Sequence, residues 1–297
     1  PDPVVVVGVG QVADAVRAGL GAAEASPVDA LVWPAGARRL VVVAPAGEFG
    51  TPRARTDAEQ RARLALLGRR AGEAAVAAGI EPRRAGAPAP AHGASPERGV
   101  TDDAAPGAAD DGPGFAGDLV AFEDALRDAL GGVPLALVRP AVVVGPGVDT
   151  VLTRHFEAPR LLTVRGGGRT WQLVHVDDVV GAVRVALDQG LVGGLTAGPV
   201  RDGEPDALDS ETVAAAAGMR TVQLPPATAF GTAERLHRVG ALPSPANDLA
   251  FVVHPWSVSA RRLHDAGWRP EWSGAAALEG LLAEVRGRTG VGGRRFG

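Results

Sequence analysis

The chain opens with a run of four valines and a glycine-rich turn, VVVVGVGQVA, over residues 4–13. The valines predict a buried strand, and the residues from Gly10 to Leu20 predict a helix that follows it directly. At such a strand-to-helix turn, the pattern Gly8-x-Gly10-x-x-Ala13 lets the backbone close tightly and approach a phosphate at the helix N-terminus. We therefore identify Gly8, Gly10 and Ala13 as candidate cofactor-binding residues.

Beyond this turn, short apolar runs alternate with longer amphipathic stretches as far as Gly190. This alternation predicts an α/β domain with a Rossmann-like parallel sheet and helices on both faces. Further strands are predicted at 28–33, 40–44, 134–147 and 173–176, and further helices at 56–78, 118–130, 150–156 and 177–187. Asp177 and Asp178 are expected to cap the last of these helices, because carboxylates accept the free N–H groups at a helix start.

Two segments depart from the alternating pattern. Residues 85–114 are rich in Ala, Pro, Gly and Asp, a composition that predicts a long surface loop. Past Gly190, short helical stretches are separated by Gly and Pro. The predicted domains are therefore a Rossmann-like unit over 1–190 and a smaller, mostly helical unit over 191–297.

The second predicted strand lacks a feature that dinucleotide sites usually have. Such sites place an acidic residue about 20 residues after the glycines to hold the adenosine ribose, whereas this strand ends in Trp33-Pro-Ala-Gly36. Arg38 and Arg39 could meet a 2′-phosphate, but they more simply flank the next strand. Only 34–39 separate the two strands, and a parallel crossover needs roughly a dozen residues. The sheet is either truncated here or closed by a local hairpin.

Composition excludes several kinds of chemistry and partner. The 297 residues include no cysteine and no tyrosine, and all thirty basic residues are arginine. A Schiff-base lysine, a thiolate nucleophile, a cysteine zinc site and a tyrosine acid are therefore excluded. The net charge of −4 argues against a nucleic-acid partner. No apolar run is long enough for a membrane span, and we expect a cytoplasmic protein.

Downstream, the chain resembles the extended or atypical short-chain dehydrogenase/reductases, the NAD-dependent epimerase/dehydratase group, and most closely its actinobacterial members of uncertain function. The motifs that carry the resemblance are TDDAAP (101–106), GFAGDLVAFE (114–123), LVRPAVVVGPG (137–147), WQLVHVDDVV (171–180) and HDAGWRP (264–270).

The resemblance implies a Tyr-x-x-x-Lys pair on one helix, in which the tyrosinate moves a proton and the lysine lowers its pKa. When the family's glutamate is placed on Glu123, the tyrosine position falls on Phe115 and the lysine position on Leu119. Neither side chain can titrate. Two placements of the family's serine are open. One puts it at Pro45, and the preferred one puts it at Pro88, with His92 just downstream. Both lack a hydroxyl.

Three other positions are candidate site residues. The resemblance places Arg139 and Pro140 where the family's strand meets the nicotinamide end of the cofactor. His175 lies beside Asp177 and Asp178, but a neutral structural histidine explains this group better than metal ligation, and no metal site is predicted.

The sequence therefore predicts a divergent epimerase-like protein that has lost dehydrogenase catalysis and binds a nucleotide-like or other small ligand, or acts as a homodimeric scaffold. An oxidoreductase or epimerase that uses His92 or His175 instead is the alternative. A lyase or isomerase that uses His175 and Asp177 also stays open. The cofactor is undetermined: NAD or NADP would suit the glycine turn, but the missing ribose carboxylate argues against either.

Overall fold

A computed structural model describes most of the chain. The described residues are 4–8, 10–22, 39–43, 57–77, 85–88, 114–133, 135–157, 160–165, 170–225, 228–229, 231–232, 235 and 257–291. The predicted strand at 28–33, Pro45 and His92 lie outside these ranges, so the choice between a truncated sheet and a local hairpin rests on residues that the structure does not describe.

The centre of the protein is a five-stranded parallel sheet. In order across the sheet, its strands are β1 (Val4–Gly8), β2 (Arg39–Val43), β3 (Ala85–Pro88), β4 (Leu135–Pro140) and a fifth strand, Gly193–Ala197. Because all five are parallel, their carboxyl ends meet at one edge of the sheet.

Beyond Ala141, β4 continues as a short strand that pairs with another, and smaller two-stranded units follow towards the C-terminus. The fifth strand of the central sheet, Gly193–Ala197, is β9. The strands of the smaller units are β5 (Val142–Val144), β6 (Arg160–Val164), β7 (Thr170–Trp171), β8 (Leu173–His175), β10 (Val200–Arg201), β11 (Glu204–Pro205), β12 (Leu208–Asp209) and β13 (Arg220–Leu224).

Helices cover both faces of the sheet. They are α1 (Gln11–Leu20), α2 (Asp57–Ala77), α3 (Phe115–Leu130), α4 (Val151–Arg154) with a following 3₁₀ turn (His155–Glu157), α5 (Val176–Asp188), α6 (Ser210–Ala217), α7 (Arg261–Asp265) and α8 (Gly274–Val291). None of these helices has the length and apolar character needed to cross a membrane.

The alternation of side chains along β1 and β2 sorts the core into two clusters. Val5, Val7, Leu40 and Val42 pack with α2, α3 and α8. The residues between them, such as Val6 and Val41, pack with α1 and α5. This is the arrangement expected of strands buried on both faces, and it agrees with the predicted Rossmann-like α/β class.

The structure corrects two boundaries of the sequence analysis. Residues 85–88 are not part of a surface loop: they form β3, which lies between β2 and β4. The predicted domain boundary at Gly190 falls before the last strand of the sheet, because β9 pairs with β4 from Gly193 to Ala197. Pattern reasoning missed both strands because alanine- and glycine-rich sequence carries little strand signal.

Two glycines let α2 and α3 approach each other closely. A β-carbon on Gly68 would lie 2.4 Å from the carbonyl oxygen of Phe122, and one on Gly72 would lie 2.7 Å from the β-carbon of Ala129. Both glycines are in the middle of α2, where glycine itself costs about 1 kcal/mol relative to alanine. The close helix contact is the reason that alanine cannot replace them.

This contact yields a prediction with a matched control. Gly68→Ala should lower the free energy of unfolding by about 1–3 kcal/mol, since overpacking exceeds the gain in helix propensity. Gly280→Ala in α8, where a β-carbon meets no atom within 4 Å, should instead raise it by up to about 1 kcal/mol. Urea denaturation of both variants measures the difference. Equal stabilisation of both would show that α2 and α3 do not need the glycine.

Candidate functional site

The carboxyl edge of the sheet begins at the glycine turn. Gly8 ends β1, and a β-carbon there would lie 2.6 Å from the carbonyl oxygen of Val43 at the end of β2. Gly8 also has a φ of +156°. Both facts require glycine, so Gly8 allows β1, β2 and α1 to pack closely.

The N-terminus of α1 follows at Gly10. Gly10 is the N-cap residue, with a φ of 107°, and it makes no side-chain cap hydrogen bond. Ala13 is fully buried on the inner side of the helix. In the first turn, the Asp14 carboxylate pairs with Arg17 at 2.6 Å, and Arg17 also donates to the carbonyl oxygen of Gly8 at 3.3 Å. An uncapped N-terminus behind a glycine turn is able to hold a phosphate.

A second loop, residues 145–149, lies against the same helix end. The backbone N–H of Asp149 donates to the side-chain oxygen of Gln11 at 3.1 Å. The backbone N–H of Gly147 donates to the carboxylate of Glu284 in α8 at 2.7 Å. Sequence analysis missed Gln11 and Glu284. No local pattern could have found Glu284, because it is 137 residues away from its partner.

Leu119, the position where the resemblance would place a lysine, lies in the apolar core. Leu119 is fully buried with Phe122 and Leu126 of the same helix. Phe115, at the tyrosine position, begins α3, and its side chain is outside what the structure describes.

Arg139 is buried and bound in an ion pair. Its Nε and Nη2 donate to the two carboxylate oxygens of Glu123, at 3.2 and 2.7 Å. The side chains of Arg139 and Glu123 are 7% and 3% exposed. The pair ties the end of β4 to α3, so the Arg139 guanidinium is engaged by the protein itself. Pro140 is the last residue of β4 and is also buried.

His175 serves as the N-cap residue of α5. Its Nδ1 accepts the backbone N–H of Asp177 at 3.3 Å, and its ring stacks on Trp272 with centroids 4.1 Å apart. The sequence analysis assigned the cap to the two aspartates instead, whereas the Asp177 side chain is 72% exposed. We conclude that His175 orders the start of α5.

Asp178 joins α5 to the C-terminal segment rather than capping its own helix. Its carboxylate accepts the backbone N–H groups of Glu271 and Trp272, at 2.7 and 3.2 Å. Burial raises the pKa of the Asp178 carboxyl above its ordinary value, and these two donors oppose that shift. The indole of Trp268 donates to the Asp178 carbonyl oxygen at 3.1 Å.

The remaining candidates are placed as follows. Pro88 ends β3 beside Val138 of β4. Arg39 begins β2 and pairs with Asp188 at 3.1 Å. It is therefore at the amino end of its strand, opposite the edge where a 2′-phosphate would bind. No cluster of three or more potential metal ligands occurs within the described ranges.

A groove of about 660 Å³ lies elsewhere, between the second half of α1, α5 and residues 267–271. It is lined by Ala18 and Gly19 rather than by the glycine turn. Asp177 and Asp178, in the first turn of α5, also line it.

Comparison with known structures identifies the fold. A human epimerase family protein in complex with NADPH superposes with a TM-score of 0.62 and 18% identity, over 95% of this chain and 99% of that one. The UDP-N-acetylglucosamine 4-epimerase of Bacillus cereus has a TM-score of 0.61 and 14% identity, over 96% of this chain and 100% of that one. RMD of Pseudomonas aeruginosa in complex with NADPH has a TM-score of 0.58 and 20% identity, over 97% of this chain and 100% of that one. The chain has the extended short-chain dehydrogenase/reductase fold of these epimerase-like proteins.

Sequence comparison adds relatives of uncharacterised function. Proteins of Mycobacterium tuberculosis and Mycobacterium bovis are 31% identical over 170 residues, which is 56% of this chain. The match spans only 18% of the length of those relatives. No protein-family model matches the chain.

The Arg139–Glu123 pair generates a testable asymmetry. Removing one member of a buried ion pair costs about 3–5 kcal/mol, because the other charge stays buried. Arg139→Met should cost less than Glu123→Leu, since the half-exposed Arg127 already lies 3.5 Å from the Glu123 carboxylate and can still pair with it. The double variant should lose much less than the sum of the two. Denaturant unfolding of the four proteins measures the coupling, and strictly additive losses would contradict it.

Proposed function

We propose that this chain, which has the fold of the NAD(P)-binding epimerases, binds a nucleotide at the glycine turn without the family's Tyr-Lys hydride chemistry. The main support is the N-terminus of α1, which has no side-chain cap and follows Gly8 and Gly10. Helix N-termini of this kind hold diphosphates through free N–H groups and the positive end of the helix dipole. Gly8, Gly10 and Ala13 would shape this site.

The absence of Tyr-Lys chemistry is supported by the environment of α3. A proton carrier on this helix would need a titratable side chain, but Leu119 is packed into the apolar core and Phe115 cannot titrate. Arg139 cannot easily take over, because it is buried and its Nε and Nη2 bind Glu123. The alternative that relies on His175 has less support, since its side chain is only 6% exposed and its ring is stacked on Trp272.

We further propose that the chain acts as a homodimer that pairs through α2. The outward face of α2 exposes Leu66 and Val76, which are 46% and 51% accessible. Large apolar side chains exposed on a helix favour burial against another helix. The expected partners of the protein are therefore a nucleotide-like ligand and a second copy of the chain.

Titration of the purified chain with NADH and NADPH tests the site. Saturable binding is expected, and Gly10→Asp should weaken it by about tenfold or more, because a carboxylate at the helix N-terminus repels the diphosphate. Gly21→Asp is the matched control: Gly21 ends the same helix, has a φ of +58° and has no atom within 4 Å of a β-carbon. Absence of binding to the unmodified chain at millimolar cofactor would contradict the site, and hydride exchange with bound NADPH would contradict the loss of catalysis.

The oligomeric state tests the homodimer. Light scattering is expected to give twice the mass of one chain, and Leu66→Asp should shift the protein towards the monomer by burying an unpaired charge at the interface. Val192→Asp is the control, because Val192 is also exposed, at 39%, but lies far along the chain from α2. A monomeric unmodified chain, or equal effects of both substitutions, would argue against pairing through α2.

A further inference from the structure

The loop 145–149 contains two backbone donors that it does not satisfy itself. The N–H of Gly147 donates to the Glu284 carboxylate, and that of Asp149 donates to the Gln11 side chain. The N–H of Val148, in contrast, donates within the loop, to the carbonyl oxygen of Gly145. Two donors, two residues apart, therefore depend on acceptors supplied by other elements.

The N–H of Gly147 already donates its hydrogen bond to a negatively charged group. Its acceptor is a carboxylate at 2.7 Å, the short distance of a charge-assisted hydrogen bond. Gly147 has a φ of +76°, and a β-carbon there would meet no atom within 4 Å. The hydrogen bond itself is exposed, so a phosphate oxygen can reach this N–H when the carboxylate leaves it, and backbone N–H groups in turns commonly bind such anions.

The loop and the glycine turn share one location, because Asp149 contacts the first residue of α1. The other carboxylates here are already neutralised. Asp149 binds Arg154 through two hydrogen bonds, at 2.8 and 2.7 Å, and Asp14 binds Arg17. No arginine in the described part of the chain forms an ion pair with Glu284.

From this arrangement, we propose that Glu284 is an internal competitor for the phosphate groups of the ligand. Its carboxylate occupies the Gly147 N–H in the unliganded protein, and a phosphate of the bound nucleotide displaces it and takes over that donor. Glu284 therefore lowers the affinity for phosphate-bearing ligands. This inference rests on the proposed nucleotide site and adds to it a regulating contact from the C-terminal helix.

Glu284→Gln tests the competition, because it removes the charge and keeps an oxygen acceptor for the loop. ADP and NADH should bind about fivefold tighter to this variant, the difference expected between a charged and a neutral hydrogen-bond acceptor. Adenosine, which has no phosphate, should bind with unchanged affinity. Glu279→Gln is the matched control: it lies on the same helix, is exposed and changes the net charge equally, and should leave all three affinities unchanged.

Calorimetric titrations decide whether Glu284 competes with the phosphate groups of the ligand. If Glu284→Gln and Glu279→Gln bind ADP with equal affinity, or if Glu284→Gln binds it more weakly, the proposed competition is wrong and the nucleotide site still stands. Tighter binding of adenosine as well would show a change in loop structure rather than a loss of charge, and would also overturn it. If neither the unmodified chain nor either variant binds ADP or NADH, the proposed function fails together with the competition. Glu284→Ala, which also removes the acceptor, should bind ADP at least as tightly as Glu284→Gln.

Discussion

The buried ion pair between Arg139 and Glu123 holds the centre of the structure together. It fastens α3 to the end of β4, with both side chains almost completely removed from water. Two charges in this position are tolerated only while they stay paired and hydrogen-bonded. The same helix places Leu119 in the apolar core beside Phe122 and Leu126. The helix itself carries no tyrosine or lysine.

The C-terminal segment is joined to the sheet domain by similar polar contacts rather than by apolar packing alone. Asp178 at the start of α5 accepts two backbone N–H groups from residues 271 and 272, and Glu284 reaches the loop 145–149. His175 adds its stacking contact with Trp272. These contacts converge on the carboxyl ends of the strands, where ligands bind in open α/β sheets. The polar contacts of Asp178 and Glu284 therefore fix the C-terminal segment next to this end of the fold.

Sequence predicted the elements well where their apolar pattern was strong. The strand and turn at residues 4–13 and the helix α2 lie within a residue or two of their expected bounds. It failed at β3 because Ala85–Pro88 contains no branched or aromatic residue, and that strand is specified by its neighbours β2 and β4 instead. The capping role of His175 was missed for a different reason. Aspartate is the usual cap, and only the coordinates show which side chain meets the free N–H.

The absence of lysine and tyrosine is explained most simply by codon bias, but the structure shows what it means at one position. A lysine at 119 would have to place an ammonium group where Leu119 is fully buried among Phe122 and Leu126. Burial of an unpaired charge there would cost several kcal/mol, and Glu123, a buried carboxylate on the same helix, is already bound to Arg139. A lysine introduced at position 119 by a single substitution would therefore disturb the packing of α3.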